Sequence, residues 1–199
     1  MWAVYHFLIE PLLMKIPNEA LYTFIGDGII KSLIWVLPAV ILINKYKDKL
    51  SLNLKEMFSF TKESAKYLWT FPAFLTYILV SVLVHGGTIS INESFGLDDI
   101  IVVLFVGITE EIVFRGWLLN ATMKRNEDVA IAVNALMFLV IHFPIWICTG
   151  TFITNFTSLG FISLIALSVV FSLVFVKTKS LILPITLHMF WDLLMFMIG

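Results

Sequence analysis

The sequence predicts an all-α fold: a polytopic membrane helix bundle of about six transmembrane helices with both termini outside. Three observations carry that expectation. Of 199 residues, 60% are hydrophobic and 14% charged, and the mean hydropathy of +0.98 lies far outside the range of soluble domains. Apolar stretches of roughly the 20 residues needed to cross a bilayer recur along the chain. The basic residues gather in alternate connecting segments, although the formal net charge is only -1.

The first segment, residues 1–20, mixes Trp2, Tyr5, His6 and Phe7 with leucines, and Pro11 and Pro17 interrupt it. It reads as an interfacial segment rather than a span, and His6 is expected to be solvated. It has neither a basic n-region nor a small-residue cleavage site, so it does not read as a signal peptide. The apolar stretches follow at 21–43, 67–84, 99–121, 129–149, 159–176 and 181–198.

Between the first two stretches lie Lys45, Lys47, Lys49, Lys55, Lys62 and Lys66; later come Lys124 and Arg125, then Lys177 and Lys179. These segments alternate, and positive residues mark the cytoplasmic side. The intervening segments agree, since 85–98 carries Glu93 and Asp98 without a basic residue and 150–158 carries no charge. In the basic linker 44–66, Leu50, Leu52, Leu54, Met57 and Phe58 fit a solvated connector on the cytoplasmic leaflet. The expected organisation is therefore 1–20 interfacial, 21–98 two helices with a basic loop, and 99–199 a core of four helices. Cys148 is the single cysteine, so neither an intramolecular disulfide nor a thiolate metal cluster is available.

Several residues are costly at membrane depth. They are Glu110, Glu111 and Arg115 in the third stretch, Asn134 and His142 in the fourth, and His188 and Asp192 in the sixth. Glu110, Glu111, Arg115 and Asp192 left unpaired would together cost on the order of 10 kcal/mol. They must meet one another or line a wet cavity. Glu110, His142, His188 and Asp192 fall within about two helical turns of a common depth, so one site is feasible. Asn134, Phe138 and His142 recur every fourth residue on one stripe, as do His188 and Asp192.

Glu111 and Arg115 are four apart and fit an intrahelical pair that anchors structure, whereas Glu110 is rotated by about 100° and is free for other work. Glu110 then suits a general base or acid. By the same spacing rule Asp27 and Lys31 on the first helix are expected to pair with each other, and His85 is expected to be interfacial.

Glu110-Glu111-Ile112-Val113-Phe114-Arg115 matches EExxxR, Phe138 to His142 matches FxxxH, and His188 to Asp192 matches Hxxx(N/D). In that order on three helices, the chain resembles the CPBP family of CAAX proteases and bacteriocin-processing enzymes, also called the Abi family. The resemblance covers about the last half of the chain. It implies an intramembrane endopeptidase of the glutamate type, in which Glu110 is the catalytic glutamate and His142 helps to orient and activate water. His188 and Asp192 would line the oxyanion side, while Glu111, Arg115, Asn134 and Phe138 support them. Asp192 stands where eukaryotic members carry asparagine. Aspartate occurs there in bacterial relatives, which fits a bacterial plasma-membrane enzyme.

The expected substrate is a small peptide or membrane-associated protein, and the expected partners are that substrate and the lipid bilayer, with no nucleic acid. No cofactor is expected to be required. Zinc is the alternative, because members of the family have been labelled metalloproteases, but the chain has no HExxH helix. Two other functions compete with proteolysis. One is a non-proteolytic immunity or sensor-regulating role within the same family; the other is a proton-coupled transporter using the carboxylates and histidines as a relay.

Overall fold

The computed structural model describes residues 2–198; Met1 and Gly199, at the outer ends of the expected segments 1–20 and 99–199, lie outside the described residues. Helices account for 77% of the chain. Among the described residues there is no strand, only an isolated bridge between Ile91 and Ile198. The class is all-α.

Helix α1 covers residues 2–13 and α2 runs Glu19–Lys45. The turn between them ends at Asn18, whose side chain accepts from the Leu21 amide at 2.8 Å and starts α2. Two short helices follow, α3 (Leu54–Met57) and α4 (Lys62–Lys66), each opened by a capping box, at Asn53 with Glu56 and at Thr61 with Ser64. Helix α5 (Thr70–Val84) is bent by 72° from the stretch Leu54–Lys66.

Helix α6 is continuous over residues 97–122, and Asp99 caps it by accepting from the Gly96 amide at 2.9 Å. Asn126 caps α7 (Glu127–Ile141) in the same way for the Val129 amide. Then come α8 (Phe143–Cys148), α9 (Phe152–Thr157), α10 (Gly160–Thr178) and α11 (Ile182–Met197).

Among the described residues, three stretches are long and apolar enough to cross a membrane: α2, Glu127–Cys148 and α10; counting the bent stretch ending in α5 gives four. The two other stretches expected to span are helical but differ in kind. Helix α11 is shorter, at 16 residues. Helix α6 carries Asp98, Asp99, Glu110, Glu111 and Arg115 on one element, and that charge sets it apart by composition. These two helices carry the first and last motifs.

Helix α6 packs against both α2 and α11, and α7 packs against α10. Contact between α6 and α11 is close because Gly107 faces Met189. A Cβ there would lie 2.7 Å from Met189 Cγ and 3.4 Å from the Ile185 carbonyl oxygen. Small residues at helix interfaces allow such approach in membranes, and it brings the next turns of α6 against His188. A buried apolar cluster including Ile43, Met57, Leu119, Phe175 and Leu181 closes one end of the bundle.

The linker 44–66 departs from the solvated connector expected of it. Leu50 and Met57 are buried in that cluster. Asn120 explains why: its side chain accepts from the Leu52 amide at 2.9 Å and donates to the Leu52 carbonyl at 2.8 Å, while the Leu181 amide donates to the Met57 carbonyl. Lysines face outward on a segment whose backbone is stitched to α6 and α11.

Candidate active site

A cavity of about 450 Å³ lies inside the bundle, and Glu110, His142, His188 and Asp192 all line it. Three helices deliver them, α6, the α7–α8 junction and α11. Phe138 lines the same cavity, whereas Glu111, Arg115 and Asn134 sit behind the wall.

The adjacent carboxylates of α6 point to different partners. Glu111 is fully buried, and its Oε1 accepts from Arg115 Nη1 at 2.8 Å and from His188 Nδ1 at 2.9 Å. Arg115, also fully buried, donates through Nη2 to the Ser168 carbonyl at 2.9 Å and hydroxyl at 2.8 Å. Its guanidinium lies over the rings of Phe138 at 4.8 Å and Phe171 at 5.5 Å. Such a planar cation is suited to stacking and hydrogen bonding together. Glu110 instead faces the cavity, where its Oε1 accepts from Lys31 Nζ at 3.0 Å.

Hydrogen-bond chemistry fixes which ring nitrogens carry protons. The Phe138 carbonyl can only accept, so His142 Nδ1, 2.7 Å away, carries a proton, and in the neutral ring the lone pair is then on Nε2. Glu111 Oε1 is the acceptor in both of its hydrogen bonds, so His188 Nδ1 carries a proton. Its Nε2 lies 3.5 Å from Asp192 Oδ2, one turn along α11. The His188 ring stacks on Phe171 with centroids 5.0 Å apart.

Asn134 ties the supporting wall together. Its Nδ2 donates to the Phe114 carbonyl of α6 at 2.6 Å, and its Oδ1 accepts from Ser172 of α10 at 3.2 Å. Phe138 packs edge-to-face on Phe114 with centroids 4.9 Å apart.

Several residues of this site are ones the sequence pattern did not single out. Lys31, expected to pair with Asp27, has its shorter contact with Glu110; Asp27 is 3.8 Å away. His6, expected to be solvated, is buried at 5% exposure, with its Nδ1 2.6 Å from Glu10 Oε2. Helix α1 packs against α8 and lays Trp2, Tyr5, His6 and Glu10 along the cavity. The i,i+4 spacing of His6 and Glu10 was the available signal. Phe171 and Ser168 carried none, being one phenylalanine and one serine in an apolar run. His85 is exposed, and its Nδ1 lies 2.8 Å from the Ser81 carbonyl oxygen.

Among the described residues, no group of three or more His, Cys, Asp or Glu side chains is arranged to hold a metal ion. The Lys31 ammonium already occupies Oε1 of Glu110.

Buried carboxylates and imidazoles are thus gathered on one cavity of a helical bundle whose long apolar helices suit a membrane. The family follows from the sequence of that same region: residues 92–194 match the family of type II CAAX prenyl endopeptidases, Rce1-like, and the chain belongs to it. Neither the curated proteins nor the solved structures give a match. The protein is accordingly a membrane peptidase of the CAAX-protease type, acting on a peptide or protein substrate. The matched residues include all three motifs and exclude α1 through α5.

Proposed function

We propose that the protein is an intramembrane endopeptidase in which Glu110 and His142 activate water to cleave a peptide bond in a small peptide or membrane-associated protein. The observation that carries this reading is the meeting of Glu110, His142, His188 and Asp192 on one cavity from three helices. A water between Glu110 and the bare Nε2 of His142 gives up a proton to the carboxylate while its oxygen attacks the carbonyl carbon. The negative charge that develops on the carbonyl oxygen falls on the His188 side, where the imidazole, its Nδ1 donating to Glu111, offers Nε2–H, 3.5 Å from Asp192 Oδ2, as the donor. The proton on Glu110 then passes to the departing amine nitrogen, so the peptide bond breaks and the carboxylate is regenerated.

Glu111, Arg115, Asn134 and Phe138 hold these groups rather than react. The chemistry needs no metal ion in this scheme. We place the chain as a multi-pass protein of a bacterial plasma membrane, crossing it about six times with both termini outside, an orientation that the alternation of lysine-rich segments supports.

The test is cleavage of a synthetic peptide mixture by the full chain in proteoliposomes, read by mass spectrometry. Glu110→Gln keeps the shape and removes the base, and is expected to lower the rate by at least about 100-fold at unchanged membrane level. Wild-type cleavage by that variant would overturn the assignment.

A further inference from the structure

Lys31 is 3% exposed, yet it lies in the middle of α2, the most N-terminal of the long apolar helices. A lysine at that depth costs roughly 2.5 to 3.5 kcal/mol unless it is paired. Its Nζ is 3.0 Å from Glu110 Oε1 and 3.8 Å from Asp27 Oδ1. The rings of Trp2 and Trp35 wall the ammonium at 5.0 Å and 5.3 Å, distances at which cation–π attraction holds a desolvated charge. Lys31 also lies outside the matched residues 92–194.

Local spacing alone would give this lysine to Asp27. Packing of α2 on α6 gives its hydrogen bond to Glu110 instead. With Oε1 engaged, Oε2 is the oxygen of Glu110 left for water. A compact ammonium with three donors on a flexible stem can serve two carboxylates at once.

We propose that Lys31 is a positioning residue of the peptidase site: it fixes the Glu110 carboxylate through Oε1, leaves Oε2 to take the proton of the attacking water, and keeps Asp27 as its second counter-ion. This rests on the reading that Glu110 is the base. In the step concerned, one O–H bond of water breaks, its proton goes to Oε2, and the oxygen electron pair forms the new C–O bond. Glu110 becomes neutral, and Asp27 balances the ammonium. When the proton moves on to the leaving amine nitrogen, the Lys31–Glu110 ion pair is restored.

The experiment measures kcat and KM of the reconstituted full chain on the same peptide mixture, prenylated C-terminal peptides included. Lys31→Met, Lys31→Arg and Glu110→Gln are compared with wild type. Because misplacing a reacting group by about 1 Å can cost about 100-fold, Lys31→Met is expected to lose about 100-fold in kcat with KM within about threefold. Lys31→Arg, keeping a cation, is expected to retain at least about a tenth of wild-type kcat. Where Lys31→Met fails to accumulate, Lys31→Met with Asp27→Asn removes one orphaned carboxylate and is expected to show the same kcat loss.

A Lys31→Met enzyme, or that double variant, with wild-type kcat overturns the proposal, as does a loss confined to KM. An arginine variant no better than methionine does so too. Wild-type cleavage by Glu110→Gln, or no cleavage by the wild type, instead removes the underlying reading and this proposal with it.

Discussion

Oε1 of Glu111 is shared between Arg115 Nη1 and His188 Nδ1, so a single hydrogen-bonded unit, Glu111 to His188 at 2.9 Å, joins the first motif to the last. The residue next to Glu110 thus orients the His188 imidazole.

Removing either charged member of that unit strands the other where water cannot reach it. Glu111→Ala and Arg115→Ala are each expected to lose about 3 to 5 kcal/mol of stability, seen as reduced membrane accumulation and a lowered apparent unfolding midpoint in detergent. Activity should fall with them. If both accumulate normally and only catalysis fails, Glu111 takes part in the chemistry itself.

Asp192 tests the His188 side. Its Oδ2 is 3.5 Å from His188 Nε2, and an ionised aspartate offers acceptors only, so its role runs through the imidazole rather than to the oxyanion. Asp192→Asn is expected to keep substantial activity with a displaced pH profile, Asp192→Ala to lose most of it, and His188→Ala nearly all. Initial rates across pH check this. Wild-type rates for Asp192→Ala at every pH would reduce the proposed oxyanion side to His188 alone.

Close approach of α6 and α11 depends on Gly107, where any side chain meets Met189 at 2.7 Å. Gly107→Val is expected to cost about 1 to 3 kcal/mol by overpacking and to lower activity by spreading Glu111 from His188. Adding Met189→Ala should restore part of both. Unfolding midpoints and rates of the single and double variants decide whether this contact sets the site's geometry.

Metal dependence is open to a direct check. With water activated by Glu110 and His142, prolonged treatment with chelators is expected to leave the rate unchanged. Loss of activity restored by zinc would make His142 and His188 the residues to examine as ligands.

The sequence made some of this legible and hid the rest for identifiable reasons. Apolar runs announced the helices, and the i,i+4 rule found the Glu111–Arg115 pair because both partners lie on one helix. That same rule assigned Lys31 to Asp27 and missed its contact with Glu110, since the packing of α2 on α6 is a tertiary fact with no local pattern. His6 reads as solvated in the sequence because a short segment interrupted by proline gives no sign that it folds along a cavity. Phe171 and Ser168, which flank His188 and Arg115, could not be told from their neighbours in an apolar helix. The buried linker depends on Asn120, whose value shows only once Leu52 is opposite it.

The role of Glu110 is tested most directly by a single turnover in water enriched in oxygen-18, using enzyme prepared in ordinary water. If Glu110 acts as the base for water, the new carboxylate of the first-turnover product carries oxygen-18, and Glu110→Gln forms it at least about 100-fold more slowly. An unlabelled product carboxylate, with the label appearing on the enzyme's glutamate, would instead make Glu110 the nucleophile. Labelled product formed by Glu110→Gln at the wild-type rate would contradict any part for Glu110 in the reaction.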